Sequence, residues 1–293
     1  MLIVSTINSQ LTPTPATRTV AFTTPENNYA SRLALLLHRH NFTPLSCPTV
    51  IVGPTTATTT SLRHHISLLH HFSAVAFTSR AGITAFFTAL SQSPPPPLPA
   101  GKDFIISALG KDAELLTPDF ISYLSPNSEK VRLILPSNPT PSGLVDSLGP
   151  GLGRKVLCPV PLVLGLEEPT VVPDFLRDLG LMGWVPSRVN AYETRWAGPK
   201  CVEKLVEVDE LDGLVFTSTA EVEGLLKSLS EYGLDWEGVR KRWPGLVVAA
   251  HGPVTASGAE RLGVRIDVVS SNFSSFEGVV QALDHIWGNS DFF

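Results

Sequence analysis

Cysteine, methionine and positive charge are scarce in this chain. Its three cysteines, Cys47, Cys158 and Cys201, form no C-x-x-C pair, which argues against a disulfide scaffold and a structural zinc site and suits a reducing compartment. They read as buried thiols. Lysine and arginine total 22 against 27 aspartate and glutamate, so the basic field that wraps a nucleic-acid backbone is missing, and nucleic acid is not expected as a partner. Long apolar runs are missing too. Leu33 to Leu37 and Val156 to Leu166 are too short, or too broken by proline and glycine, to cross a bilayer, so no membrane span is expected. The first nineteen residues lack any acidic side chain and hold seven Ser or Thr, with Arg18 as their one cation. They read either as an organelle-targeting peptide without its run of arginines or as a short tail. What is present is a globular composition, 43% hydrophobic and 17% charged over 293 residues, long enough for two domains of about 150 residues each.

The hydrophobic period alternates between strand and helix. Thr19 to Thr23 is a short apolar strand, and after Pro25 the apolar residues from Tyr29 to Arg39 recur at helical spacing. Ala74 to Phe77 leads into a helix through Leu90, and Phe104 to Leu109 into one through Leu116. Val131 to Leu135 then runs toward a helix over Ser142 to Leu148. Strands joined by crossover helices make a parallel sheet covered on both faces. Ser93 to Ala100, with four consecutive prolines, reads as a surface loop. His64, His65, His70 and His71 fall on one predicted helix at separations too long to share a metal ion, and read as a solvated face. Gly149 to Lys155 precedes a strand and lacks the Gly-Lys-Ser/Thr ending of a phosphate loop, and no Gly-x-Ser-x-Gly elbow is present.

The chain also repeats itself. Phe77-Thr78-Ser79-Arg80-Ala81 returns as Phe216-Thr217-Ser218-Thr219-Ala220, 139 residues later. Ala108-Leu109-Gly110-Lys111 stands where Ala250-His251-Gly252-Pro253 stands in the second half, at an offset of 142. Val131-Arg132 leads through Asn138 to Ser142-Gly143-Leu144-Val145, as Val264-Arg265 leads through Asn272 to Glu277-Gly278-Val279-Val280, at an offset of 133. Three landmarks in one order imply two copies of one α/β module.

Each landmark sits at the carboxyl end of a strand, where ligands of parallel α/β sheets gather against helix N-termini. Thr78-Ser79 and Thr217-Ser218 therefore read either as helix N-caps or as hydroxyls and amides that capture a carboxylate or phosphate. Gly110 and Gly252-Pro253 would let the backbone turn sharply beside a ligand. Ser274 and Glu277 have the spacing of a capping box.

With Phe-Thr-Ser at a strand end, then Gly-Pro-x-Thr, then a Glu-Gly-x-Val helix start, and with Val189-Asn190-Ala191-Tyr192-Glu193-Thr194 before the second copy, the chain resembles the uroporphyrinogen-III synthase family from about Val20 to Leu283. The resemblance implies an α/β protein of two flavodoxin-like parallel-sheet domains joined by a two-stranded linker. One would be discontinuous, residues 1–47 with 194–293, and the other inserted, residues 48–193. The crossings would fall near Cys47 to Ile51 and near Val189 to Thr194.

The resemblance further implies conversion of hydroxymethylbilane, a linear tetrapyrrole bearing eight carboxylates, into uroporphyrinogen III, with loss of water and inversion of the last ring. It implies no metal and no organic cofactor, a monomer, and an upstream hydroxymethylbilane synthase as a partner. The compartment stays open between cytoplasm, plastid and mitochondrion. By the same resemblance Tyr192 is the linker tyrosine that assists departure of the substrate hydroxyl, and Thr255 meets an acetate or propionate. Thr78, Ser79, Arg80, Gly110, Lys111, Thr217, Ser218, Gly252 and Pro253 are loop contacts to substrate. Hinge packing is the competing reading of Tyr192.

The sequence departs from the family pattern in three places. Thr23-Thr24-Pro25 lacks the arginine of a Thr-Arg-Pro. Ala113 replaces the threonine after the first glycine turn. Leu157-Cys158-Pro159-Val160-Pro161 stands where an arginine and a glycine commonly follow a Leu-Pro strand end. Arg80 and Lys111 are the cations left on that side of the cleft. These losses keep open a synthase-like protein that binds a tetrapyrrole without turning it over, and a two-domain receptor that closes on another small anion.

Overall fold

The computed structural model describes residues 17–26, 28–93, 95–272 and 275–288. The first sixteen residues of the proposed targeting peptide, Pro94 and Ser274 lie outside the described residues. The chain begins with β1 (Thr19–Phe22), α1 (Asn28–Arg39), β2 (Thr43–Ser46), β3 (Val50–Gly53), α2 (Thr56–Ser67), β4 (Ala74–Phe77) and α3 (Arg80–Ser91). Then come β5 (Phe104–Ala108), α4 (Pro118–Leu124), β6 (Val131–Ile134), α5 (Pro141–Leu148), β7 (Lys155–Leu164), α6 (Val171–Leu181) and β8 (Val185–Trp196). It ends with α7 (Glu203–Glu207), β9 (Gly213–Phe216), α8 (Thr219–Glu231), α9 (Trp236–Arg242), β10 (Val247–Ala250), α10 (Pro253–Arg261), β11 (Val268–Val269) and α11 (Glu277–Ile286).

The strands form two sheets, ordered β2-β1-β9-β10-β11 and β3-β8-β7-β4-β5-β6. All pairs are parallel except β3 with β8. The first sheet has the 2-1-3-4-5 order of flavodoxin-like folds. The second has the same spatial order over β8-β7-β4-β5-β6, entered by the chain at its central strand. Side chains alternate between faces, so each sheet is sandwiched by two cores. Val75 and Phe77 pack on one side of the second sheet, Ala74 and Ala76 on the other. Leu214 and Phe216 pack on one side of the first sheet, Val215 on the other. The β3–β8 ladder carries the chain between the sheets: Thr49 N donates to Thr23 O at 3.3 Å and Ala197 N to Thr49 O at 3.0 Å.

The repeat is visible in the register. Phe77 lies beside Ala108 as Phe216 lies beside Ala250. Ser107 pairs with Ile134 as Ala249 pairs with Val268. A Cβ on Gly143 would fall 2.2 Å from Asn138 O, and one on Gly278 would fall 2.1 Å from Asn272 O. Both copies thus need glycine where a helix start presses on the preceding asparagine carbonyl.

Several local expectations are corrected. The segment after β5 is a 3-10 helix, Gly110–Leu115, because Gly110 takes a left-handed φ of 48° and Pro118 starts a separate helix capped by Thr117. The third landmark's second strand is β11, later than Val264, whose N–H closes the end of α10 on Ala259 O. Leu157 to Pro161 lies inside the ten-residue β7 and is no strand end. His64 and His65 end α2, whereas His70 and His71 lie on a separate 3-10 turn. Glu277 is the first residue of α11, and Phe276 occupies the cap position, so Glu277 does not sit at the third helical position that a capping box requires. Cys47 and Cys158 are buried, but Cys201 is only partly so. No helix among the described residues is long and apolar enough to cross a membrane.

Candidate functional site

Tyr192 is positioned by an irregularity in β8. Val160 pairs with Asn190 but the next residue, Pro161, pairs with Tyr192, so Ala191 is an extra residue, a β-bulge. Regular alternation would put Ala191 and Tyr192 on opposite faces. The bulge brings both into the core that covers Val75 and Phe77, which is how bulges re-aim side chains. Tyr192 is 5% exposed, and its Oη lies 2.8 Å from Ser79 Oγ. Burial pushes the phenol up to about 12, despite the hydrogen bond from Ser79, so it is protonated at neutral pH. Ser79 also caps α3 by accepting from Gly82 N at 3.1 Å. With that lone pair used, the Ser79 proton can go to Tyr192 Oη, leaving the phenol proton for a further acceptor.

Beside this pair stands Arg80. Its guanidinium lies 5.3 Å from the centre of the Tyr29 ring and 3.9 Å from Asp112 Oδ1. Tyr29 Oη donates to the same oxygen at 3.5 Å. Burial raises both Asp112 and Tyr29. Tyr29 belongs to α1, on the first sheet, while Arg80 and Asp112 belong to the second, so these three side chains join the lobes. Tyr29 continues the contact to Phe276 (ring centres 5.6 Å apart), and Phe276 to His251 (5.0 Å), next to Gly252. One chain of contacts thereby runs from the Ser79–Tyr192 pair to the Gly252-Pro253-Val254-Thr255 turn.

On the first lobe the polar groups converge on Glu221, which is 2% exposed. As a carboxylate it accepts from Thr23 Oγ1 (2.8 Å), Thr217 N (2.9 Å), Thr217 Oγ1 (2.5 Å) and Ser218 Oγ (3.1 Å). Burial raises its pKa above the ordinary carboxylate value, against the pull of these donors. Thr24 Oγ1 lies 3.5 Å from Thr217 Oγ1, and Thr255 Oγ1 donates to Thr217 O at 3.1 Å.

Of the residues singled out from sequence, Ser79, Arg80 and Tyr192 share one side of this region, and Thr217, Ser218 and Thr255 the other. Thr78 is half-buried beside Ser79. Gly110 opens the 3-10 helix that carries Asp112. Only the backbone of Lys111 is described. Gly252 has extended backbone, φ −163°, which any residue adopts, so the sharp turn expected there is not what places it. Pro253 begins α10. Thr255 faces inward, braced on the Thr217 carbonyl. Sequence reasoning missed Glu221, Thr23, Tyr29, Asp112 and His251. The signal for Glu221 was an acid between Ala220 and Val222 on the apolar face of α8, at the place the repeat fills with Gly82.

Two α/β lobes that meet through Tyr29, Arg80 and Asp112 define a two-domain protein of the doubly wound, parallel-sheet class. The chain belongs to the uroporphyrinogen-III synthase family, whose model, described as uroporphyrinogen-III synthase HemD, matches residues 31–280. Among solved structures, a methionine-substituted uroporphyrinogen III synthase from the extremely thermophilic bacterium Thermus thermophilus is 17% identical with a TM-score of 0.58, covering 92% of this chain and 99% of that one. The uroporphyrinogen-III synthetase of Helicobacter pylori is 13% identical with a TM-score of 0.45, covering 92% and 99%. No curated protein matches the chain.

Proposed function

We propose that this chain is a uroporphyrinogen-III synthase that closes hydroxymethylbilane into uroporphyrinogen III, with loss of water and inversion of the last ring. Its lobes, residues 1–47 with 194–293 and residues 48–193, would hold the substrate between them. The observation that carries the reading is the bulge-set Tyr192, whose buried phenol is protonated and hydrogen-bonded to Ser79 at the N-cap of α3.

The reaction is mainly an orientation problem, because the chain must fold back so that its ends meet in the inverted sense faster than unaided closure gives the other isomer. A 100-fold preference needs only about 2.7 kcal/mol of differential stabilisation. Hydrogen bonds to charged groups contribute roughly 1.5–3 kcal/mol each, so a few contacts suffice. In this reading Ser79 donates to Tyr192, and Tyr192 donates to the departing hydroxyl. The hydroxyls of Thr78, Thr217 and Ser218 and the cations Arg80 and Lys111 take substrate carboxylates, while the Thr217 amide stays on Glu221. The lobes part at Tyr29, Arg80 and Asp112 to admit the chain. The residues give no set of three or more metal-ligating side chains among those described, and the reading draws on none.

The test is an assay fed by fresh hydroxymethylbilane, with the isomers of the product separated. Formation of isomer III above the unaided rate supports the reading. Isomer I alone, at the rate without protein, leaves a tetrapyrrole-binding relative. That second reading draws on Thr24, where the family arginine is missing, and on the carboxylate of Glu221 behind the turn that should hold an anion.

A further inference from the structure

Glu221 and the turn in front of it have incompatible hydrogen-bond requirements. An ionised carboxylate accepts hydrogen bonds and donates none. The one at Glu221 takes the hydroxyl protons of Thr23, Thr217 and Ser218 and the N–H of Thr217. Thr217 and Ser218, the half-buried hydroxyls of the β9–α8 turn, then have only lone pairs left to offer a ligand, and lone pairs repel a carboxylate. A ligand carboxylate accepting from Thr217 Oγ1 at an ordinary 2.7 Å would also lie within about 5 Å of the Glu221 oxygen. Two such anions cannot both be stable there without a cation between them. None of the ion pairs among the described residues involves Glu221.

A proton on Glu221 Oε1 removes the conflict. The acid then donates across the 2.5 Å contact to Thr217 Oγ1, and the Thr217 proton turns outward to the ligand. Oε2 still accepts from Thr23 and from the Thr217 amide. We infer that Glu221 is a proton-linked positioning residue: capture of a carboxylate at the β9–α8 turn is coupled to uptake of one proton from solvent by Glu221. The inference rests on the proposed tetrapyrrole reading only for the identity of the ligand.

The surroundings favour such a switch. The groups facing the carboxylate from the end of β1 and from the turn are hydroxyls and an amide. From α10, Thr255 reaches the back of the same turn, and from the segment before β3, Thr49 Oγ1 donates to the Glu221 carbonyl at 2.8 Å. The titratable neighbour in the β10–α10 turn, His251, lies tilted against the ring of Phe276. On α8 itself, Glu223 is directed to the Glu167 amide. Full burial also opposes the charged form of Glu221, which brings protonation nearer to neutral pH.

The decisive variant is Glu221→Gln, whose amide donates to Thr217 Oγ1 and accepts from Thr23 and so imitates the protonated acid at every pH. Binding of uroporphyrin III, an octacarboxylate macrocycle, is followed by calorimetry in buffers of different ionisation enthalpy from pH 6 to 9. Wild type is expected to take up about one proton more than the variant, and its affinity to fall up to tenfold per pH unit relative to the variant above the pKa of Glu221. Equal proton counts overturn the inference. A parallel arm without ligand follows thermal unfolding over the same pH range. Wild type should lose stability relative to the variant as pH rises, since the folded acid holds its proton where the unfolded one has lost it. A relative loss that continues without levelling off to pH 9 would mean that Glu221 still holds its proton in the free protein and has none to take up on binding, which also overturns the inference. Citrate is titrated alongside as a plain carboxylate. If citrate binds with the extra proton and uroporphyrin does not bind, the tetrapyrrole reading fails and the switch stands; if neither binds, both fail.

Discussion

Replacing Tyr192 by phenylalanine removes one oxygen and leaves the ring in its core, so its effects on folding and on rate separate cleanly. The lost contact is the 2.8 Å hydrogen bond to Ser79. A buried hydrogen bond contributes about 0.5–1.5 kcal/mol net, and Ser79 keeps the Gly82 amide as a partner, so the variant should lose about 1 kcal/mol of stability. For a protein of this size that is roughly 2–4 °C in Tm. If the phenol donates to the departing hydroxyl, its loss should cost the 100-fold or more typical of a positioned proton donor, about 2.7 kcal/mol in the barrier. The two figures differ enough to tell apart. Initial rates of isomer III formation, measured well below the Tm of both proteins, should fall at least 100-fold while circular dichroism stays unchanged. Alkaline stability supplies an independent sign. Because the folded phenol is pushed up to about 12 from an ordinary value near 10, wild type keeps its full stability below pH 10 and loses up to roughly 3 kcal/mol between pH 10 and 12; the variant should lack that part of the loss. Full turnover in Tyr192→Phe would refute the donor role, and an unchanged alkaline limb would refute the buried phenol itself.

Other consequences can be measured directly. Gly143→Ala and Gly278→Ala each force a methyl group to within 2.2 and 2.1 Å of a backbone carbonyl, and each should cost about 1–3 kcal/mol in urea unfolding; a neutral effect at either position would break the equivalence of the two copies. Arg80→Ala removes the cation over Tyr29 and the partner of Asp112, contacts worth about 1 kcal/mol at such half-exposed positions, so solution scattering should report a more open molecule, while loss of a cation that takes a substrate carboxylate, about 1.5–3 kcal/mol, should raise KM for hydroxymethylbilane at least about tenfold. Thiol labelling should reach the half-buried Cys201 first. Cys47, pushed up to about 12 by burial, and Cys158, raised by deeper burial, should react only on unfolding; mass spectrometry at short times gives the order.

The fold was legible in the sequence because β4, β5, β9 and β10 are short, almost wholly apolar runs, and β4 and β9 end in the same words. A buried central strand of a parallel sheet can hardly look otherwise. The repeat implied two copies of one α/β module, and the family resemblance implied their flavodoxin-like order and the crossings between them. The site was only half legible. Ser79 and Ser218 announce themselves as caps, but whether a capping hydroxyl also faces a ligand depends on partners far along the chain, such as Tyr192 for one, or on a neighbour of unexpected burial, such as Glu221 for the other. The bulge at Ala191 has no local signature, because Ala and Tyr are equally acceptable with or without it. The family resemblance sets Leu157 to Pro161 at a strand end, yet β7 runs on through both prolines. Here β4 pairs with β7 only at Val156 and Leu157, so Pro159 and Pro161 remove no ladder bond on that side. Glu221 escapes notice for the opposite reason: a charged residue is read as solvent-facing unless its partners are known.

The register makes these exceptions parts of one difference. Ala74 lies beside Val156 as Gly213 lies beside Val20, so counting onward along each strand sets Pro159 against Thr23 and Val160 against Thr24. Counting from the shared Thr-Ser sets Gly82 against Glu221. In one copy a proline, with neither hydroxyl nor N–H, faces a glycine with no side chain: a Cβ on Gly82 would lie 3.1 Å from the Pro159 carbonyl. In the other a threonine donates to a glutamate. The serine that caps the neighbouring helix is thereby free to hold Tyr192 in the first copy and is tied to Glu221 in the second. A carboxylate at Gly82 would find no donor on Pro159, and a glycine at Glu221 would remove the acceptor that Thr23, Thr217 and Ser218 share. The two copies of the scaffold thus differ at one linked pair, Pro159 with Gly82 in one lobe and Thr23 with Glu221 in the other, and that pair decides whether the capping serine meets a phenol or a carboxyl group.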